Sequence, residues 1–358
     1  MLCHKFVNGF DSTKMIYIQI YSLKRLAQFT FCNLHFVTYI LRFVTMLCIH
    51  LKNTEPYFCL AAEEYLLKNF SEDIFMLWQS ENAVVVGKHQ NVAAEINHPF
   101  IHENNIAVCR RISGGGTVFH DAGNVNFTFI KNVKSPAEIS FKMFTAPVVE
   151  ALVKLGITAT TSGRNDLLID GLKISGNAEH VYKNRVLHHG TLLFNSDLEN
   201  LGHAIKVTPG KYEGKAVQSN RSPVANISQF LKTPMTTGEF VQFLLSVQLE
   251  NTQNSYYYLT ENDIQTIEKL ATEKFRTWEW NYGYSPKYTF RNEIEIDGKK
   301  LSIRLVVEKG LIVEAEIEGD YFDENDSRKT QKILLDKRHF YVELFVNQEV
   351  LEIITALF

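Results

Sequence analysis

The chain has 358 residues, 45% hydrophobic and 22% charged, and its 37 basic against 40 acidic side chains leave a net charge of −3. That length exceeds one typical core, so two domains are expected, and the composition is that of a soluble globular protein. An acidic balance without a basic stripe interleaved with aromatics argues against nucleic acid as a partner.

Residues 1–45 stand apart. They hold five basic residues (Lys5, Lys14, Lys24, Arg25, Arg42) and one acid (Asp11), a charge of +4, so residues 46–358 carry −7. Gln28, Asn33 and His35 interrupt the apolar run from 26 to 41 and Arg42 ends it, short of the roughly 20 apolar residues that a spanning helix needs. No apolar stretch precedes a small-residue cleavage site, and Arg and Ser are sparse for a transit peptide. The segment reads as a non-native or disordered N-terminal extension with Met46 as the true start. The protein reads as cytoplasmic, with no membrane association.

Beyond it, NTEPYFCLAAEEYLLKNF predicts a helix with Pro56 near its first turn, and IFMLWQ and AVVVG predict strands separated by Ser80-Glu81-Asn82. The strand AVCRRIS then delivers RRISGGGTVFHDAGNVNFTFI, from Arg110 to Ile130. Gly114, Gly115 and Gly116 free the backbone for positive φ beside two fixed positive charges, which suits an anion held against main-chain N–H groups. Taken alone, the run also suits a tight turn with solvated arginines, since it matches neither standard glycine-rich phosphate loop. Next, Asn124, Asn126 and Thr128 alternate with Val125, Phe127 and Phe129, the period of a half-buried strand.

SFKMFTAPVVEALVKLGI predicts another helix. Asp170-Gly171 is a strong hairpin turn, so LLI and LKISGNA pair. Alternation then places Lys173, Ser175 and Asn177 on one face and Leu172 and Ile174 on the other. A lone strand lysine is ordinarily solvated, but the polar clusters Asn165-Asp166, Ser175-Gly176-Asn177 and His188-His189-Gly190 at strand ends favour an ordered site. Residues 196–230, with Lys206, Lys211, Lys215 and Arg221, read as a surface loop between helices or as a mobile segment covering a bound intermediate.

TENDIQTIEKLATEKF predicts a threonine-capped helix with Ile264, Ile267 and Leu270 on its apolar side. YTFRNEIEI, KLSIRLVVE and LIVEAEIEG predict strands joined at Asp297-Gly298 and Lys309-Gly310, with Glu293, Glu295, Glu314, Glu316 and Glu318 on a solvated sheet surface. The class is therefore α+β, a mixed β-sheet domain followed by a small α/β domain. The five cysteines form no CxxC, which argues against a zinc ribbon or disulfide framework and fits a reducing compartment.

RRISGGGTVFHDAGN, GRNDLLIDGLKISGNA and HHGTLL, in that order and at this spacing, resemble the lipoate-protein ligase A family. The likeness begins at MLCIHLKNTEPYFCLAAEEYLLKN and continues through RTWEWNYGYSP, which resembles the segment leading into that family's carboxy-terminal accessory domain. The resemblance implies a catalytic domain of the biotin/lipoate ligase type at 46–258 and an accessory domain at 259–358. It also implies ATP-dependent conversion of lipoate to lipoyl-AMP and transfer of the lipoyl group to a lysine. Implied acceptors are the apo lipoyl domains of 2-oxoacid dehydrogenase acyltransferase subunits and the glycine-cleavage H protein.

A carboxylate does not acylate an amine in water because its leaving group is oxide, and a mixed anhydride with AMP removes that obstacle. Two anions must then meet, so the site must supply positive charge and N–H donors. By resemblance, Lys173 is the catalytic residue between the lipoyl carboxylate and the α-phosphate. Arg111, Gly116, Thr117, Val118 and Phe119 hold ATP together with Lys173, while Arg110, Ser113, Gly114, Gly115, His120 and His189 with Lys173 form the lipoate pocket. His120 and His189 equally suit satisfied structural histidines. Mg²⁺ is expected with ATP through phosphate oxygens, with Asp121 or Asp166 as candidate ligands and no dedicated metal site. No cysteine follows Cys109, which disfavours a thiol-dependent octanoyl or lipoyl transferase. That enzyme, a biotin-protein ligase and a non-catalytic lipoate-binding protein are the alternatives.

Overall fold

The computed structural model describes residues 46–358 except 136–137, 163–164, 206–209, 220–221 and 346–350. The amino-terminal extension and the loop cations Lys206 and Arg221 lie outside the described residues. In chain order the strands are β1 (Met46–His50), β2 (Asp73–Trp78), β3 (Ala83–Val86), β4 (Ala107–Arg110), β5 (Val118–His120), β6 (Asn124–Asn132), β7 (Thr160–Ser162) and β8 (Asp166–Ile169). They continue with β9 (Leu172–Tyr182), β10 (Arg185–Leu193), β11 (Tyr212–Gly214), β12 (Asn254–Tyr256), β13 (Tyr288–Ile296), β14 (Lys299–Glu308) and β15 (Leu311–Gly319).

Among the described residues these form an eight-stranded mixed sheet in the order β12-β1-β2-β6-β10-β9-β8-β7, a three-stranded sheet β4-β3-β5 and a four-stranded sheet β11-β13-β14-β15. The large sheet is covered on both faces. Phe75 and Leu77 of β2 meet Phe144, Val148, Phe240 and Leu244 from helices Phe141–Lys154 and Thr237–Leu249. Ile74, Met76 and Trp78 point the other way, toward Leu66 and Leu67 of helix Pro56–Asn69.

This double cover corrects the expectation for β6. Asn124, Asn126 and Thr128 are as buried as Val125, Phe127 and Phe129, because β6 lies between β2 and β10 inside the sheet. Buried polar groups need partners. Thr128 Oγ1 finds them by donating to Glu63 at 2.6 Å and accepting from Trp78 Nε1 at 3.1 Å.

Helix Glu261–Leu270 starts at the expected Thr260 cap, completed by Asp263 as a capping box. Its contact line against helix Pro56–Asn69 runs through Ile267, Ala271 and Phe275, which leaves Ile264 40% exposed beside that line. The turns at Asp297-Gly298 and Lys309-Gly310 hold all four residues at positive φ, as hairpin turns of this type require. The described part of 196–230 is not all loop. It contains helix Leu198–Ala204, and β11 within it pairs with β13, extending the carboxy-terminal sheet.

Candidate active site

Asp170 and Gly171 take φ of 50° and 82°, and β8 and β9 pair around them. The register slips between Leu167, which faces Ser175, and Leu168, which faces Lys173. This bulge corrects the simple alternation, because an extra residue on one strand reverses the facing of everything beyond it. Lys173 and Gly176 therefore share a side, and a Cβ added at Gly176 would lie 3.2 Å from Lys173 Cε.

Two cavities meet at Lys173. The first, about 510 Å³, runs from exposed Gly115 to buried Leu60, Trp78 and Val85. The second, about 290 Å³, is walled by Leu193, Leu198, Leu201, Ile205 and Val224. Thr117, Val118, Gly176, Thr191 and Ser219 border both, as Lys173 does. The Lys173 main chain is fixed by bonds to Pro223 O at 2.8 Å and from Ala225 N at 3.0 Å. Its Nζ lies 3.0 Å from Asp166 Oδ1, with the two side chains 25% and 21% exposed.

Arg110 and Arg111 leave β4 on opposite sides, as consecutive strand residues must. Arg111 lines the first cavity and braces the glycine loop, donating to Ser113 Oγ, Val85 O, Gly114 O and Gly116 O at 2.6 to 3.0 Å. Burial lowers its guanidinium to about 10, with Glu63 opposing, so it stays charged at neutral pH. Arg110, expected in the lipoate pocket, borders neither cavity. It donates instead to the carbonyls of Gly87, Lys88, Gln90, Trp280 and Asn281 and to Ser285 Oγ, fastening residues 280–285 behind the loop.

Ser113 and Gly114 also border neither cavity. Ser113 lies behind the wall, 2.6 Å from His189 Nε2, while His189 Nδ1 is 2.9 Å from both carboxylate oxygens of Glu63. A carboxylate only accepts, so Nδ1 carries the proton and Nε2 accepts from the Ser113 hydroxyl. His189 and His120 both line the first cavity. Burial, then Arg111 and His189, push His120 down to about 3, so it is a neutral wall residue at pH 7. Its Nδ1 and Asn126 Nδ2 have no hydrogen-bond partner among the described residues. Phe119 borders the second cavity, and Gly116 the first. Asp121 is turned to the backbone, accepting from Gly123 N, Asn124 N and Asp197 N.

Residues 55–249 match the family described as lipoyl protein ligase A/B catalytic domain, and residues 285–349 match bacterial lipoate protein ligase C-terminus. The chain belongs to the lipoate-protein ligase family. Lipoate–protein ligase 1 of Staphylococcus aureus is 42% identical over 288 residues, 80% of this chain and 88% of that relative. P. falciparum LipL1, solved in complex with lipoate, has a TM-score of 0.58 at 27% identity, covering 84% of this chain and 93% of its own. A lipoate-protein ligase A bound with ATP shares the fold, with a TM-score of 0.57 at 24% identity over 67% of this chain and 98% of its own.

Two residues that support these cavities, Glu63 and Ser219, were not singled out from the sequence. Glu63 carried a signal, a carboxylate on the apolar side of a helix between Leu60 and Leu67. Ser219 carried none. It lies in irregular chain, yet it accepts from Thr117 N at 2.8 Å and Gln90 Nε2 at 3.0 Å and donates to the buried Glu95 at 2.5 Å.

Proposed function

We propose that the two cavities hold lipoate and ATP on either side of Lys173, the first taking the acyl chain and the second the adenine. The observation that carries this reading is the position of Lys173, an ammonium on the border of both compartments beside the glycine loop. The lipoate carboxylate oxygen attacks the α-phosphorus, the bond to the bridging oxygen breaks and pyrophosphate leaves. Lys173 offsets the charge that gathers as the anions meet, and the backbone of residues 116–119, with the Thr117 N–H held by Ser219 Oγ, forms the wall against which ATP lies. Arg111 acts through the loop it braces and through its charge. Mg²⁺ would be held by phosphate oxygens with Asp166, the carboxylate on the cavity wall, and would neutralise part of the triphosphate charge.

In the second step a lysine amine of an apo lipoyl domain attacks the acyl carbonyl and AMP leaves. Acyltransferase subunits of 2-oxoacid dehydrogenases and the glycine-cleavage H protein are the proposed acceptors, and the cytoplasm the proposed compartment. The described thiols, Cys48, Cys59 and Cys109, are free and buried, and none borders either cavity, which supports activation by ATP over a thioester route. Among the described residues no helix is long and apolar enough to cross a membrane. Residues 46–258 would form the catalytic domain and 259–358 the accessory domain, with β11 and residues 280–285 crossing between them.

Intact-mass analysis of an apo lipoyl domain incubated with the chain, lipoate and Mg-ATP tests the proposal. A lipoyl mass increase that needs ATP supports it. An increase from an acyl-carrier donor without ATP would replace it with a transferase.

A further inference from the structure

A patch of positive charge lies outside the cavities on a body that is otherwise acidic. Glu64 on helix Pro56–Asn69 bridges Lys68 at 2.6 Å and Lys274 at 2.5 Å, and Lys274 Nζ sits 4.0 Å over the Trp280 ring. Lys68 and Lys183 approach the Tyr182 ring at 5.5 and 5.2 Å. Lys88 belongs to the same neighbourhood. Burial first, then Lys88, Lys274 and Lys68 with Glu64 opposing, holds the His180 imidazole below its ordinary value, so the lysines carry the charge. These four lysines and Glu64 sum to +3, and adding the adjoining Arg185, Glu72 and Asp73 leaves +2, where residues 46–358 total −7.

The patch adjoins the rim of the first cavity. Beyond the bulge, Ala178, His180 and Tyr182 share the side of β9 that carries Gly176 and Lys173. Ala178 borders the cavity, and its Cβ lies 3.6 Å from where a Cβ on exposed Gly115 would stand. Lys88 N donates to Ser113 O at 2.8 Å, which ties that lysine to the glycine loop. Tyr182 is four residues past Ala178, about 13 Å along the strand. A standard protein interface covers about 800 Å² per partner, a disc of roughly 16 Å radius. A domain of that footprint centred on the mouth of the cavity would reach Tyr182.

We propose that Lys68, Lys88, Lys183 and Lys274, with Tyr182 and Trp280, form the docking surface for an acceptor domain whose target lysine is flanked by carboxylates. The proposal rests on the ligase reading and adds the charge of the partner. Positive charge at the landing place offsets the repulsion between an acidic enzyme and an acidic acceptor, and rim charges act mainly on encounter rate and salt dependence. The aromatic rings supply contact area between the cations.

The test uses the full chain carrying Lys68→Glu and Lys183→Glu, two substitutions away from the glycine loop. Two apo lipoyl domains serve as probes, one with acidic residues beside its lysine and one with those residues changed to lysine. Lipoate-dependent exchange of pyrophosphate into ATP, measured without acceptor, should be unchanged. The KM for the acidic acceptor should rise about tenfold or more at low salt and approach the wild-type value near about 0.3 M salt, where screening is short-ranged. Wild-type enzyme should in turn prefer the acidic acceptor and the variant the basic one. Equal KM values for both acceptors on wild-type enzyme would overturn the proposal. Absence of any ATP-dependent exchange in the wild type would overturn the ligase reading itself.

Discussion

Lys173 Nζ lies 3.0 Å from Asp166 Oδ1 and beside Gly176, the cross-strand partner of Asp166, where an added Cβ would fall 3.3 Å from the same nitrogen. On the proposed mechanism, the ammonium leaves this ion pair for phosphate, and the missing side chain at Gly176 leaves it room to turn. Gly176 is not at positive φ, and only the Lys173 side chain stands within 4 Å of that Cβ. Gly176→Ala should therefore melt close to the wild-type temperature while its pyrophosphate exchange slows about tenfold, about 1.4 kcal/mol. Gly190→Ala is the contrasting case. Its Cβ would lie 2.2 Å from Asn177 Oδ1 and 2.6 Å from the Phe127 ring, so it should lose stability, as thermal melts will register.

Glu63 and His189 stabilise each other. Glu63→Gln keeps the shape but weakens an acceptor for the His189 N–H, which should cost about 1–3 kcal/mol in urea unfolding. His189→Ala leaves the carboxylate buried with Thr128 as its remaining hydrogen-bond partner and Arg111 as the nearby charge, and should cost more, about 3 kcal/mol. The double variant should lose less than the two losses summed, because both remove the same contact.

Arg110→Lys should be destabilising by about 3 kcal/mol or more, since an ammonium cannot reach the six acceptors that the guanidinium satisfies from one buried position. Denaturant unfolding checks this. Among folded molecules, pyrophosphate exchange should fall less than in Lys173→Ala.

Acid should unfold the protein from mildly acidic pH downward. Burial pushes His98 and His120 down to about 3 and His339 to about 4, against an ordinary value near 6.5. Between those limits the unfolded chain binds protons that the native one refuses. Stability is therefore full above about pH 6.5 and falls as the pH drops toward 3, by at most about 1.4 kcal/mol per pH unit for each histidine. Urea midpoints at successive pH values should be flat above neutrality and fall steeply below about pH 6.

The hairpin turns and the Thr260 cap were legible because each depends on local chain chemistry, whereas the motifs around the glycine loop and Lys173 were legible only through their combined resemblance to a family. The bulge opposite Lys173 was not, since it is set by pairing across strands, and it decides which side of β9 faces the cavity. The resemblance places Arg110 in the lipoate pocket beside the ATP-binding Arg111, and only the packing of residues 280–285 shows that Arg110 faces away from the cavities. Double-sided burial of β6 was hidden for a similar reason, because Thr128 in its polar row serves Glu63 and Trp78 rather than water. Ser219 and the pairing of β11 with β13 arise from long-range contacts in a stretch without periodic pattern.

The most direct test of the central claim is to quench mixtures of enzyme, lipoate and Mg-ATP without acceptor and quantify lipoyl-AMP by mass spectrometry, for wild type beside Lys173→Ala. The wild type should form enzyme-bound lipoyl-AMP, and the variant should do so roughly 100-fold more slowly or worse with an unchanged melting temperature. Equal rates of adenylate formation in the two proteins would contradict the role given to Lys173.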